Sequence, residues 1–296
     1  MPLDQYVMRD PRDQYARPPF PDQPQAHPGT SAQMRPQPDY GEATYRGANR
    51  LPGRKALITG GDSGIGRAVA LAFAREGADV AFAYLEEDAD ARETVRLIES
   101  AQRKALAVKT DIRDEAACND LIARTIAELG GLDILVNNAA FQMEQQSIAS
   151  ITTDQFDRVM KTNLYAMFWL SKAALAAMPP GAAIINTASV EASKPEPSLV
   201  DYASTKAAIV AFTQALAQEA IGRGVRVNSV APGPVWTPLI PSTMQAGEVH
   251  EFGKQSPLGR PAQPAELAPA YVFLASQESS YVNGARLAVT GGTPVP

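Results

Sequence analysis

The chain of 296 residues holds one cysteine, Cys118, so no intrachain disulfide can staple it. A lone thiol fits a reducing compartment and points to the cytoplasm. Histidine is nearly as scarce. His27 and His250 are the only two, they form no cluster with the cysteine, and no HExxH occurs. That scarcity argues against a metal site and against a serine–histidine triad. No apolar run approaches the ~18 residues of a membrane span. The opening stretch MPLDQYVMRDPRDQY lacks the apolar segment of a secretory signal. No basic block stands against the net charge of −5, so neither nucleic acid nor a membrane surface is an expected partner. What is present is ordinary globular composition, 45% hydrophobic and 20% charged.

Residues 1–50 differ from the rest. They carry nine of the 24 prolines and balance six acidic against six basic residues. Proline fixes φ and removes a backbone donor, which excludes a regular helix or central strand. The segment reads as an extended or disordered arm. Two further readings stay open. Tyr6, Tyr15, Phe20, Tyr40 and Tyr45 could anchor it on a neighbouring subunit. Its PxxP spacings, Pro18 to Pro21 and Pro21 to Pro24, could dock an SH3-like partner.

From residue 51 to 296 short apolar runs alternate with amphipathic ones. Strands are expected at Lys55–Thr59, Val80–Leu85, Ala105–Lys109, Asp133–Val136, Ala182–Asn186, Val225–Val230 and Arg286–Val289. Helices are expected at Ser63–Gly77, Asp88–Arg103, Glu115–Leu129, Thr153–Met178, Tyr202–Gly222 and Glu266–Ala275. This alternation predicts an α/β fold. It is a doubly wound parallel sheet in three α/β/α layers, one Rossmann-like domain preceded by the arm.

Two motifs bear chemistry. Gly60-Gly61-Asp62-Ser63-Gly64-Ile65-Gly66 follows the first strand and opens the first helix. Glycines there let backbone approach a pyrophosphate, and the helix N-terminus supplies free amides. Tyr202 and Lys206 stand four apart on a helix and share a face. A carbonyl reductase needs a proton donor beside the carbonyl, and a nearby ammonium favours tyrosinate and lowers a tyrosine pKa. Ser189, just past the fifth strand, is placed to hydrogen-bond the substrate oxygen.

With these residues, and with Asp111-Ile112, NNAA at Asn137–Ala140, Asn163, YASTK and NSVAPGPVWT, the chain from about Leu51 to Gly292 resembles the classical short-chain dehydrogenases/reductases. The TGGDSGIG variant and the arm resemble a stress-associated, aldehyde-reductase-like branch. The resemblance implies a hydride transfer between nicotinamide and a carbonyl or alcohol. Tyr202 would be general acid/base, and Ser189 would orient the substrate oxygen. Lys206 would hold the nicotinamide ribose and lower the tyrosine pKa, and Asn163 would brace a relay water. Asp111 and Ile112 would contact adenine, and Asn138 and Ala139 the adenosine side. Pro232, Gly233, Val235 and Thr237 would cradle the nicotinamide end. Three alanines, Ala140, Ala166 and Ala192, replace glycines usual in the family. They put loop shape near the substrate in doubt, because alanine is strained at positive φ.

For the cofactor, the deciding position is about Tyr84, followed by Leu85-Glu86-Glu87. Ser63 fills the slot where NADP readers often carry a base. No arginine or lysine stands nearby in sequence, and two glutamates would repel a 2′-phosphate, so NAD is favoured over NADP. Residues 239–257, with Met244, Val249, His250 and Phe252, are expected to cover an uncharged substrate. Glu191 and an apolar wall from Trp236 are candidate substrate contacts. The long helices and the C-terminal strand would pair subunits into a homotetramer. The competing reading is a catalytically silent dinucleotide-binding sensor or scaffold. It leaves the set Asn163, Ser189, Tyr202 and Lys206 without a purpose.

Overall fold

The protein is described here from a computed structural model that covers residues 5–295. Met1–Asp4 and Pro296, the outer ends of the arm and of the C-terminal segment, lie outside them.

Seven strands form one parallel sheet: β1 (Lys55–Thr59), β2 (Asp79–Tyr84), β3 (Ala105–Lys109), β4 (Ile134–Asn137), β5 (Ala183–Thr187), β6 (Arg226–Pro232) and β7 (Arg286–Val289). Their spatial order is 3-2-1-4-5-6-7. The order reverses between β1 and β4, which opens a crevice at the carboxyl ends of these two strands. Strands buried on both faces read as apolar runs, and β4 and β5 are buried at every residue. Consecutive residues feed opposite layers. Ile58 and Phe82 pack with Val69 and Phe73 of α1 (Gly64–Arg75) and with Leu267 and Tyr271 of α9 (Pro264–Ala275). Leu57 and Leu135 pack with Leu121 of α3 (Glu115–Leu129), Leu170 of α5 (Ala166–Ala177) and Ala217 of α6 (Val200–Ala220). The remaining helices are α2 (Asp88–Ser100), α4 (Thr153–Met160) and two short ones, α7 (Leu239–Thr243) and α8 (Ala246–His250).

Two helix expectations change. The long helix over Thr153–Met178 is interrupted by a π turn, Lys161–Tyr165, which places one extra residue in the ladder at Asn163. Apolar periodicity does not register a single inserted residue. The helix expected to end at Gly222 becomes a 3-10 turn at Ile221 and closes on Gly224, whose φ of 75° is the left-handed stop.

The arm is irregular, with two single-turn 3-10 segments, and it lies docked on its own domain. Phe20 and Met34 are buried with Trp236, Ile240 and Val249, and Tyr40 and Tyr45 join the α1–α9 layer. Wholly buried Glu76 fastens the arm's end. Its carboxylate accepts from Tyr45 Oη at 2.5 Å, from the amides of Ala48 and Arg50 at 2.8 and 2.9 Å, and from the Arg50 guanidinium. Of the arm's aromatics, Phe20, Tyr40 and Tyr45 find apolar partners within the chain, whereas Tyr6 is 62% exposed.

Candidate active site

The glycine turn sits on the crevice. Gly60 and Gly64 have φ of 63° and 53°, where a side chain is strained. A Cβ on Gly66 would lie 1.9 Å from the Gly60 carbonyl oxygen, so only glycine lets α1 approach the turn this closely. Ser63 precedes α1 without a side-chain cap hydrogen bond, so no cap side chain competes for its first-turn amides. This cradle fits a pyrophosphate. Thr59 was missed by sequence reasoning. Its Oγ1 accepts from the amides of Asn138 and Ala139, both at 3.0 Å, and locks the loop after β4 onto the turn after β1. Only the threonine of TGG could have signalled this.

A cleft of about 630 Å³ runs from this turn. Gly60, Asp62, Ser63, Gly64, Ile65, Tyr84, Asp111, Ile112, Asn138 and Ala139 line one part of it. Ser189, Glu191, Tyr202, Lys206, Pro232, Gly233, Val235 and Thr237 line the other. Gly66 shapes the cradle from behind.

Lys206 is 2% exposed, and its Nζ donates to the Thr187 carbonyl at 2.8 Å and lies 5.2 Å from the centre of the Tyr202 ring. Burial lowers its pKa to about 7. Enclosure pushes the Tyr202 phenol up, with the Ser189 hydroxyl opposing and the Glu191 charge adding to the rise. Both groups are thus driven toward their neutral forms until another charge enters the site. Asn163 is buried behind the cleft. Its side chain accepts from the Phe141 amide at 2.8 Å and donates to the Phe141 carbonyl and to Thr205 Oγ1 at 2.9 and 3.1 Å. It therefore clamps the loop after β4 to α6, the helix that carries Tyr202.

The three alanines carry no left-handed backbone strain. Ala166 is helical at φ −55°, and Ala140 and Ala192 are absent from the positive-φ residues of the described chain. Two expectations are corrected. Trp236 makes no wall for the cleft. It is wholly buried, its ring centre 4.2 Å from that of Phe20, and Nε1 donates to the Pro36 carbonyl. The arm, whose destination was not visible in the sequence, claims that ring. Arginines also reach the cleft. Arg113 lies against Asp111 and Arg158 over the Phe141 ring, both brought in from β3 and α4 rather than from the end of β2.

Residues 239–257 border the substrate end through Leu239, Ile240, Met244, Glu248, Glu251 and Phe252. Val249 packs inward, and His250 Nδ1 meets the Phe20 carbonyl of the arm at 2.8 Å. Glu144, Glu191, Glu196, Glu248 and Glu251 together give this end an acidic lining. Glu248 is raised to about 7, first by sharing a hydrogen bond with Glu144 and then by burial.

A family model described as Enoyl-(Acyl carrier protein) reductase matches residues 60–294. General stress protein 39 of Bacillus subtilis is 51% identical over 265 residues, 90% of this chain and 93% of that protein. The chain belongs to the short-chain dehydrogenase/reductase family. Another family member, the glucose and ribitol dehydrogenase of Daucus carota, is 45% identical over 93% of this chain and 97% of its own length. The crystal structure of a short-chain dehydrogenase from Burkholderia cenocepacia in complex with NADP superposes with a TM-score of 0.77 at 33% identity, covering 82% of this chain and 98% of that one. The protein is accordingly an NAD(P)-dependent oxidoreductase acting between alcohol and carbonyl groups. No finding favours a silent binder. Among the described residues no helix is long and apolar enough to cross a membrane.

Proposed function

We propose that the protein interconverts an uncharged, hydroxyl-rich alcohol and its carbonyl with NAD, using Tyr202 as general acid/base, Ser189 to orient the substrate oxygen and Lys206 to hold the cofactor ribose. The observation that carries this reading is the convergence of these three side chains on one cleft with the glycine cradle. The nicotinamide, when bound, supplies or accepts the hydride. Tyr202 gives its proton to the forming alkoxide, and in the reverse direction takes it back. Asn163 keeps the loop after β4 in register with Tyr202 and would brace a relay water. The acidic lining repels carboxylates and phosphates and offers acceptors to hydroxyl donors. The name of the carrot relative agrees with such a substrate. A screen of uncharged polyols and aldoses against their anionic counterparts, followed by nicotinamide absorbance, tests it. Turnover confined to anionic substrates would reject it.

The preference for NAD rests on two carboxylates at the end of the cleft where the adenosine ribose would lie. Asp62 is raised to about 7 by burial and then by the charge of Glu87, and Glu87 is itself raised by burial. Both line the cleft and suit ribose hydroxyls, whereas a 2′-phosphate would add charge beside them. The relative from Burkholderia was crystallised with NADP, which makes the measurement decisive. Fluorescence titration is expected to give NADH at least about tenfold tighter than NADPH, a modest repulsion on the Coulomb scale. Glu87→Lys is expected to narrow that ratio. Equal or tighter binding of NADPH by the wild type would overturn the preference.

The cytoplasmic location and the homotetramer belong to the same proposal. Buried, free Cys118 agrees with the first. For the second, Phe156, Tyr165 and Phe168 lie 44, 43 and 45% exposed along α4, the π turn and α5, an apolar stripe suited to a helix-to-helix contact. Light scattering is expected to return four chains per particle, and a smaller particle after Phe168→Glu. A monomeric wild type would refute the assembly.

A further inference from the structure

The arm does more than cover apolar surface. Its residues 25–31 cross the mouth of the cleft, and adjacent residues touch opposite lips. On one lip, the His27 ring meets the Phe141 ring edge-on at 4.9 Å, and His27 Nδ1 lies 3.1 Å from the Arg158 guanidinium. Phe141 is the residue clamped by Asn163, so this contact is to a fixed wall. On the other lip, the Gln25 amide donates to the Pro241 carbonyl at 3.0 Å, and Ser242 Oγ shares its hydrogen between the Leu239 carbonyl at 3.0 Å and the Pro28 carbonyl at 3.3 Å. Gly29, at φ 81°, passes so close that a Cβ would stand 2.6 Å from the Pro238 carbonyl oxygen. Beyond the crossing, the Ser31 amide donates to Asp90 at 2.9 Å, and the Tyr40 ring covers the guanidinium of Arg67, next to the glycine turn. His27 and Pro28 both line the cleft.

We propose that residues 25–31 complete the dinucleotide site in cis, and that His27 is a positioning residue that retains the bound nicotinamide dinucleotide. This rests on the cofactor reading given above. The crossing lies between the lip that carries Asp111, Phe141 and Arg158 and the lip that carries Thr237 to Ser242, so a dinucleotide laid along the cleft passes beneath it. Burial, and then the cations Arg158 and Arg113, hold His27 at about 4, in its neutral form. Neutral imidazole accepts from Arg158 at Nδ1 and so holds that guanidinium, whose charge faces the same cleft, in place.

The test is the rate of NADH release from the full-length protein, read by stopped-flow nicotinamide fluorescence. His27→Ala is expected to release NADH about tenfold faster, the worth of one charge-assisted hydrogen bond. His27→Asn, which keeps an acceptor near the Nδ1 position, is expected to restore most of the retention. That rescue separates positioning from a general loss of packing. Gly29→Ala, whose Cβ would stand 2.6 Å from the Pro238 carbonyl oxygen at a φ of 81°, pushes the crossing off the opposite lip without touching His27 and is expected to speed release several-fold, so the test stands if His27→Ala does not fold. Release within twofold of wild type in both His27→Ala and Gly29→Ala would overturn the proposal while leaving the cofactor reading intact. Failure of the wild type to bind either NADH or NADPH would overturn both.

Discussion

Tyr202→Phe is expected to leave a protein that folds, melts near the wild-type temperature and binds NADH with little change, yet turns over at least about 10³-fold more slowly, within the range that general acid–base catalysis contributes. Phenylalanine keeps the ring, which packs over α6 and lies 5.2 Å from Lys206 Nζ, and removes only the hydroxyl. The alkoxide formed by hydride arrival then has no positioned proton. Ser189 cannot substitute. Its hydroxyl accepts from the Glu191 amide at 3.1 Å and keeps its own proton, but an alcohol is far too weak an acid for the task. Steady-state rates beside NADH titration separate chemistry from binding. A variant with native-like kcat would remove Tyr202 from the proton-donor role and redirect attention to Glu191 and the Glu144–Glu248 pair.

Lys206→Met is expected to move activity and stability in opposite directions. Activity should fall about 10²-fold or more, because the ammonium both binds ribose and favours tyrosinate. Its removal leaves the Tyr202 pKa higher, so alcohol oxidation, which needs the tyrosinate, should shift its pH profile to the alkaline side. Stability follows from burial. The folded pKa of about 7 lies below the ordinary lysine value of 10.5, so between these values the unfolded chain binds more protons than the folded one. The charged lysine therefore opposes folding, stability rises with pH across that window, and the penalty is fully present below about 7. Methionine fills the same slot without the charge, and even buried ion pairs replaced by apolar groups of similar volume are often neutral or more stable by about 1–4 kcal/mol. The melting temperature at pH 7 should rise by at least about 2 °C, and the gain should shrink toward pH 10. A less stable, fully active variant would mean that the ammonium is neither strained nor used.

The asymmetry between these two variants reflects where each residue sits. Tyr202 reaches the cleft from one face of α6, and the same helix delivers Lys206 one turn on into a site closed by the Thr187 carbonyl. The helical spacing of four was legible. The closure that makes the lysine costly was not, because it depends on β5 and on the neighbouring wall.

What the sequence determined by itself is local. Apolar runs on alternating elements specify a parallel sheet, since only strands covered on both faces read that way. The glycine turn was legible because Gly60 and Gly66 answer to a backbone contact within one strand–turn–helix unit. Tyr202, Lys206 and Ser189 were legible because the carboxyl edge of the sheet is set by strand direction alone. Tertiary structure decided everything that joins segments far apart in the chain. It sent Trp236 to Phe20 of the arm instead of to the substrate, and brought Arg158 of α4 to the cleft beside Arg113. It inserted a π turn at Asn163 to meet Phe141. It brought His27 to the edge of the cleft against Arg158, more than a hundred residues away in the chain. Periodicity and turn chemistry report a residue's neighbours within a few positions. A proline-rich segment without periodicity carries no such signal, and its place is set by which apolar pockets and buried carboxylates the folded domain leaves to be filled.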